Sequence, residues 1–399
     1  MNKKLLKRLK LISIVCVIIL IIEVFYLIYV SFFKSSKSIY FDSTNSLDVV
    51  EKGFISAGSN NDNDKHYEKA KITKYNSKME KSFEKLYNKG YNGAFFSVIE
   101  DDDGYVAVGS YEADESEYKR STRSALIVKF DMNGEVIFEN SFQILGNSKF
   151  VNIVSVEDGY LVVGQSIYED MSLGTSRDGG AYLVKYNKSL KLEWKSNYGG
   201  NKSAVYNDLV VYDNYIYTVG KDLEKSGIVS KYDMNGNLIK TAVYEYTDSL
   251  GFSSVAQVNG NIVVSGAKYI EDGKSAALLA LYDSELNYIK ESCYNDGGSN
   301  RFNNFMVDEN NNIIVIGMKK IDKKSDLDIF SYDGIIGKYD KDLTEIETLI
   351  YSNDNDDHFT DIKVYNDNYI VSLYSSYEKH GYMTKFIIYS KALKVLEVR

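Results

Sequence analysis

The residues best able to hold a metal or move a proton in this chain are its three histidines, His66, His358 and His380. Asp62 and Asp64 precede the first, and Asp354, Asp356 and Asp357 precede the second. Imidazole nitrogens with carboxylates suit zinc or a similar ion, and the acids alone suit calcium. His66, His358, His380 and Asp356 are therefore the candidate ligands of a divalent metal, although no two histidines have helix-face or short-loop ligand spacing. Asp131-Met132-Asn133-Gly134 and Asp233-Met234-Asn235-Gly236 begin like calcium loops. Such a loop ends in glutamate at its twelfth position, which counted from Asp131 is Phe142, so the tetrad is a turn. The run Glu100-Asp101-Asp102-Asp103 also reads as a solvated turn. No Ser-His-Asp order, glycine-rich phosphate loop, His-Glu-x-x-His or cysteine pair occurs, so no catalytic and no cofactor-binding residue is assigned. A carboxylate pair for glycoside hydrolysis is the catalytic option that an acidic chain leaves open.

The elements that position these residues recur. One block reads Ile72-Thr73-Lys74-Tyr75-Asn76, Ile127-Val128-Lys129-Phe130-Asp131, Leu183-Val184-Lys185-Tyr186-Asn187 and Val229-Ser230-Lys231-Tyr232-Asp233. It continues through Tyr282 and Tyr339 to a degraded copy at Tyr389, with spacings of 55, 56, 46, 50, 57 and 50 residues. Upstream of each copy lies a β-branched run ending in glycine, such as Gly104-Tyr105-Val106-Ala107-Val108-Gly109. The seventh, Tyr369-Ile370-Val371-Ser372-Leu373, lacks that glycine. Two anchors thus count seven units of four short strands each, with Asn-Gly turns that tolerate positive φ and no helical periodicity. The pattern predicts an all-β, seven-bladed β-propeller of four-stranded antiparallel blades over residues 44–399. The absence of proline agrees, since paired strands leave few places for a residue without an N–H.

The third copy carries a resemblance: Gly159-Tyr160-Leu161-Val162-Val163-Gly164, Leu183-Val184-Lys185-Tyr186-Asn187, Trp194 and Tyr198-Gly199-Gly200. It resembles bacterial β-propeller repeat proteins of the SBBP and delta-60 type, over roughly residues 44–396. Those motifs are structural; the resemblance implies a fold and no activity.

If the first strand of each unit is innermost, the loops between second and third strands share one face with the loops between units. Long segments there (Tyr111–Ser124, Gln165–Gly180, Met318–Asp333) contrast with short Asx and Gly turns on the opposite face. Variable loops on a rigid scaffold commonly carry binding. All three histidines map to this face, in units 1 and 7, which adjoin if the ring closes. Closure is expected from packing between those units, with Leu393–Val398 as the seventh unit's own fourth strand. The alternative is a latching strand from Ser38–Phe41.

Residues 1–10 carry five positive charges and no acid, and residues 11–33 are apolar apart from Glu23. At about 1.5 Å per residue that run spans a hydrocarbon core of about 30 Å. Basic flanking charge places the tail in the cytoplasm. The run exceeds a signal peptide's apolar region and ends in no small-x-small site, so it predicts an uncleaved, single-pass transmembrane helix. Residues 34–43 are then a linker, and the propeller lies outside the membrane. Removing the tail and Glu23 from the net charge of −9 leaves −13 for residues 34–399, which disfavours nucleic acid as a partner. The expected function is a membrane-anchored extracytoplasmic binding or scaffold module for a protein or glycan partner, with no cofactor assigned. The alternative is an exported carbohydrate-active hydrolase or lyase using acids on the variable face.

Overall fold

In the computed structural model the described residues are 40–61, 67–113, 123–142, 147–167, 169–170, 175–176, 180–199, 204–222, 226–244, 251–321, 331–353, 355–376 and 381–399. The segment 11–33, His66 and His380 lie outside them. Among the described residues, no helix is long and apolar enough to cross a membrane.

Residues from Phe41 to Arg399 form a propeller of seven four-stranded antiparallel blades, the seventh and first joined in one sheet. The first strands are Tyr40–Val50, Tyr91–Asp101, Asn147–Val156, Ala204–Tyr212, Phe252–Val258, Ser299–Val307 and Asp357–Tyr365. All seven line one central cavity, so the first strand is innermost, as expected. Strand one begins at Tyr40, inside the expected linker.

Each first strand slips by one residue against its second strand, at Asn45, Phe96, Val151, Asn207, Ser253, Asn303 and Thr360. A bulge places two residues against one and re-aims the side chain that follows. This explains the glycine ending the second strand: a Cβ on Gly109 would overlap the Ala94 carbonyl oxygen, and Gly58, Gly164, Gly220 and Gly317 face the same obstacle. Blade 7 keeps the bulge with Leu373, whose side chain joins the core between blades 6 and 7.

The aromatic of the Lys-Tyr-Asp block packs edge-on against the aromatic preceding the bulge. Ring centroids are 5.8 Å apart for Phe95–Phe130, 6.2 Å for Phe150–Tyr186, 6.3 Å for Tyr206–Tyr232 and 6.0 Å for Phe302–Tyr339. Such pairs add about 0.5–1.5 kcal/mol beyond burial. The block's Asx closes the turn to the fourth strand: Asp131 Oδ1 accepts from the Asn133 and Glu135 amides, both at 2.8 Å. Asn76, Asn187, Asp233, Asp283 and Asp340 repeat the arrangement. Only the fourth turn residue is left-handed, and it is glycine twice (Gly134, Gly236) but otherwise Met79, Leu190, Leu286, Leu343 or Leu393. The Asn of Asn-Gly does not take positive φ there.

The block's lysines tie turns together: Lys129 bridges Asp101 at 2.8 Å and Asp103 at 2.7 Å, and Lys231 reaches Glu285 of the next blade at 2.7 Å. In blade 1 the equivalent Lys74 amine is buried with no hydrogen-bond partner among the described residues, and burial lowers its pKa against the pull of Glu100.

Val395–Val398 supplies the fourth strand of blade 7, as expected, but closure is not by packing alone. The third strand of blade 7, Gly381–Tyr389, also hydrogen-bonds the first strand of blade 1. Thr384 Oγ1 lies 3.1 Å from Thr44 Oγ1 and donates to the Asp42 carbonyl oxygen at 3.4 Å.

Candidate functional site in the central channel

The residue after each bulge is short and polar in every blade: Ser46, Ser97, Asn152, Asp208, Ser254, Asn304 and Asp361. A buried aliphatic or aromatic residue follows it, from Leu47 to Ile362. The bulge therefore turns one polar side chain per blade toward the channel while its neighbours remain in the interblade cores.

These side chains form a belt. Ser97 Oγ donates to Asn152 Oδ1 at 2.7 Å, and Asn152 Nδ2 donates to Asp208 Oδ1. Asp208 Oδ2 accepts from Ser254 Oγ at 2.7 Å and the Val255 amide at 2.8 Å. Asn304 Oδ1 lies 3.0 Å from Ser254 Oγ, and its Nδ2 donates to Asp361 Oδ1 at 2.9 Å. Asp361 Oδ2 accepts from the Leu47 amide of blade 1 at 2.8 Å, and Asp48 Oδ2 accepts from the Glu100 amide of blade 2 at 2.9 Å. The links run from blade 2 round to blade 1 and back to blade 2.

Burial pushes the Asp48 and Asp208 carboxyls above their ordinary values, against these hydrogen bonds. Lys363, two residues beyond Asp361, is half-buried in the channel wall. The Asp361 carboxylate, helped by Asp48 and Asp208, raises its pKa against the cost of burial. The cavity measures about 480 Å³, within the range of small-molecule sites.

The channel thus gathers carboxylates of the kind a hydrolase reading requires, but Asp208 is held in a form unsuited to proton transfer. Asp208 has four lone-pair positions and four donors: the Leu209 and Val255 amides, Ser254 Oγ and Asn152 Nδ2. A general acid needs a protonated oxygen facing substrate. Asp361 accepts three hydrogen bonds, from the Leu47 and Ile362 amides and Asn304 Nδ2, and Asp48 accepts two, from the Val49 and Glu100 amides. These acids staple blades.

Of the metal candidates, Asp356 immediately precedes the first strand of blade 7 and His358 lies within it, beside Tyr332 of blade 6. Asp356 Oδ2 is 3.1 Å from His358 Nε2 and accepts from Tyr382 Oη at 3.1 Å, while its Oδ1 accepts from the Tyr332 amide at 2.7 Å. Burial pushes the Asp356 carboxyl up, but these partners outweigh it and hold it below its ordinary value. The His358 ring stacks on Tyr374, with centroids 4.6 Å apart and planes at 15°. Among the described residues, no group of three or more His, Cys, Asp or Glu side chains is arranged to hold a metal ion.

The belt and Lys363 are absent from the sequence expectations. A signal exists in a third repeated block, aromatic-x-(Ser/Asn/Asp)-apolar, as in Phe95-Phe96-Ser97-Val98, Tyr206-Asn207-Asp208-Leu209 and Phe359-Thr360-Asp361-Ile362.

No protein-family model matches the chain, and no curated protein sequence matches it. Among solved structures it is similar to the Dos1 propeller, at 12% identity and a TM-score of 0.50, over 84% of this chain and 78% of that one. It also matches a cobalt-substituted ACO of Synechocystis at 9% identity, TM-score 0.46, over 83% of this chain and 84% of that one. A thermostable family-43 glycoside hydrolase matches at 11% identity, TM-score 0.34, over 48% of this chain and 70% of that one. Identities this low speak to fold alone, and the first match agrees with the propeller given by the strand order.

Proposed function

We propose that this chain is a membrane-anchored propeller that works outside the membrane as a non-catalytic binding or scaffold module for a protein or glycan partner. The observation that carries the reading is the saturation of Asp208 at the centre of the belt, whose two oxygens already accept four hydrogen bonds and have none to offer a substrate. Length variation confined to the loops of one face agrees with binding there, while the opposite turns repeat one Asx geometry. The anchor reading rests on residues 1–33, where a basic tail precedes an apolar run. The blade motifs around Trp194 support kinship with the SBBP and delta-60 repeats.

The test is capture by the tagged full-length chain from intact, crosslinked cells, paired with protease accessibility of the propeller. Recovery of a stoichiometric partner with the propeller digested from outside supports the module. Turnover of a glycan panel by the purified chain would reverse it in favour of the hydrolase or lyase.

A further inference from the structure

We propose that the central channel binds a neutral, hydroxyl-rich ligand of sugar chemistry, with Lys363 donating to a ligand hydroxyl and the amide oxygens of Asn45, Asn207 and Asn303 accepting from others. This deepens the binding-module reading and rests on it.

The argument starts from hydrogen-bonding capacity left over in the channel wall. Asn45, Asn207 and Asn303 are bulge residues of blades 1, 4 and 6 and line the cavity. Each spends its amide nitrogen on the carbonyl of the next blade's aromatic: Phe95 at 2.8 Å, Phe252 at 2.7 Å and Phe359 at 3.3 Å. That fixes each amide's orientation and leaves its oxygen accepting no hydrogen bond from a described residue. Lys363 is complementary: it lines the same cavity, and its ammonium makes no hydrogen bond or ion pair within 4 Å to a described residue. A ligand filling the channel must therefore bring an acceptor to one place and donors to others.

Charge narrows the class. An anion beside Lys363 would also face Asp361, Asp48 and Asp208, whose fields converge on that amine. A cation would meet the ammonium itself. A neutral polyol avoids both penalties, and each hydroxyl donates and accepts at once. Phe96, half-buried in the wall, offers apolar surface to the C–H face of a sugar ring.

The experiment uses the full-length chain in a detergent without a sugar headgroup. Saturation-transfer NMR screens neutral mono- and oligosaccharides, with acidic and amino sugars as comparison. Reductive methylation of the unmodified protein, read by mass spectrometry, then compares Lys363 with the exposed Lys52. The expected result is that a neutral sugar binds, slows methylation of Lys363 and leaves Lys52 unchanged. Lys363→Met should weaken that sugar by roughly ten- to a hundredfold, the effect of losing a hydrogen bond from a charged donor. Lys363→Arg, which keeps the charge among the carboxylates, should retain the fold if Lys363→Met does not. Binding that leaves Lys363 methylation unchanged would place the sugar elsewhere and overturn the proposal. So would tighter binding of acidic or amino sugars, or no sugar binding at all. Partner capture that succeeds alongside any of these leaves the module reading standing without a channel ligand.

Discussion

Asp101 illustrates how an acidic run that looks like a solvated turn contains one residue of a different kind. Its carboxylate is buried, with Oδ2 accepting from Lys129 Nζ at 2.8 Å and Tyr160 Oη at 2.5 Å, and Oδ1 from Lys188 Nζ at 2.6 Å. Lys188 and Tyr160 belong to blade 3, so this one carboxylate clamps two blades. Burial pushes its pKa up, but the three donors outweigh burial and hold it far below the ordinary value. An aspartate depressed in the folded state stabilises above its unfolded pKa of about 3.9 and loses that contribution as pH falls toward the folded value. Asp101→Asn should therefore cost about 3 kcal/mol at pH 7. The deficit should shrink steadily below about pH 4, where the wild-type carboxylate must itself take a proton. Thermal melts of both proteins across pH 2–8 check this, and a deficit constant over the whole range would mean the charge plays no part. Asp102 beside it is exposed and makes no such bond to a described residue, so position in the run, invisible from composition, decides the role.

At the scale of the element, the turn between third and fourth strands shows how a repeat tolerates different residues at one strained position. Leu190, Leu286, Leu343 and Leu393 hold positive φ of 53–57° and are buried. Gly236 occupies the same place at φ 81°, and a Cβ there would lie 2.6 Å from the Trp194 ring of the preceding blade. Left-handed backbone is accessible to this turn, since leucine adopts it repeatedly, so at Gly236 the tryptophan is the stronger constraint. Gly236→Ala should cost about 2–3 kcal/mol, combining overlap and left-handed strain. In a Trp194→Leu background the cost should fall to about 1 kcal/mol, the strain alone. A double-mutant cycle by chemical denaturation measures the difference, and simple additivity would show that the ring is not the obstacle. The turn's position, its Asn or Asp and the repeat count were legible because one geometry recurs with one side-chain chemistry, although the Asn of Asn-Gly is not the left-handed residue. The channel belt was not, because Ser, Asn and Asp substitute for one another there and a one-residue bulge disguises their alternation. Lys363 has no counterpart in other blades to mark it.

At the scale of the molecule, a propeller must join its last blade to its first, and sequence alone leaves the means open. The seven-unit count implied that blades 1 and 7 meet, but a pairing between residues some 340 apart leaves no local signature. The seam uses three devices. Val395–Val398 completes the edge of blade 7, with Phe386 and the terminal Arg399 exchanging backbone hydrogen bonds at 2.7 and 2.8 Å. The first strand of blade 1 pairs with the same third strand, and Asp361 draws in the Leu47 amide at the channel. Phe54 adds ring contacts with Tyr365 at 5.7 Å and Phe386 at 4.9 Å. If this seam is where the ring first opens, fixing it covalently should stabilise the whole propeller. Thr44 and Thr384 face each other across it with hydroxyls 3.1 Å apart, which suits a pair of cysteines. Thr44→Cys with Thr384→Cys, in a background with Cys16 and Cys293 changed to serine, closes a loop of some 340 residues. Chain entropy for so long a loop gives an upper limit of about 5 kcal/mol, less any strain in the new bond. The oxidised protein should melt several degrees above its reduced form, roughly 2–4 °C for each kcal/mol in a domain this large. If mass spectrometry shows the bond fully formed and the two forms still melt together, opening begins between other blades and the seam is not the weak point of the ring.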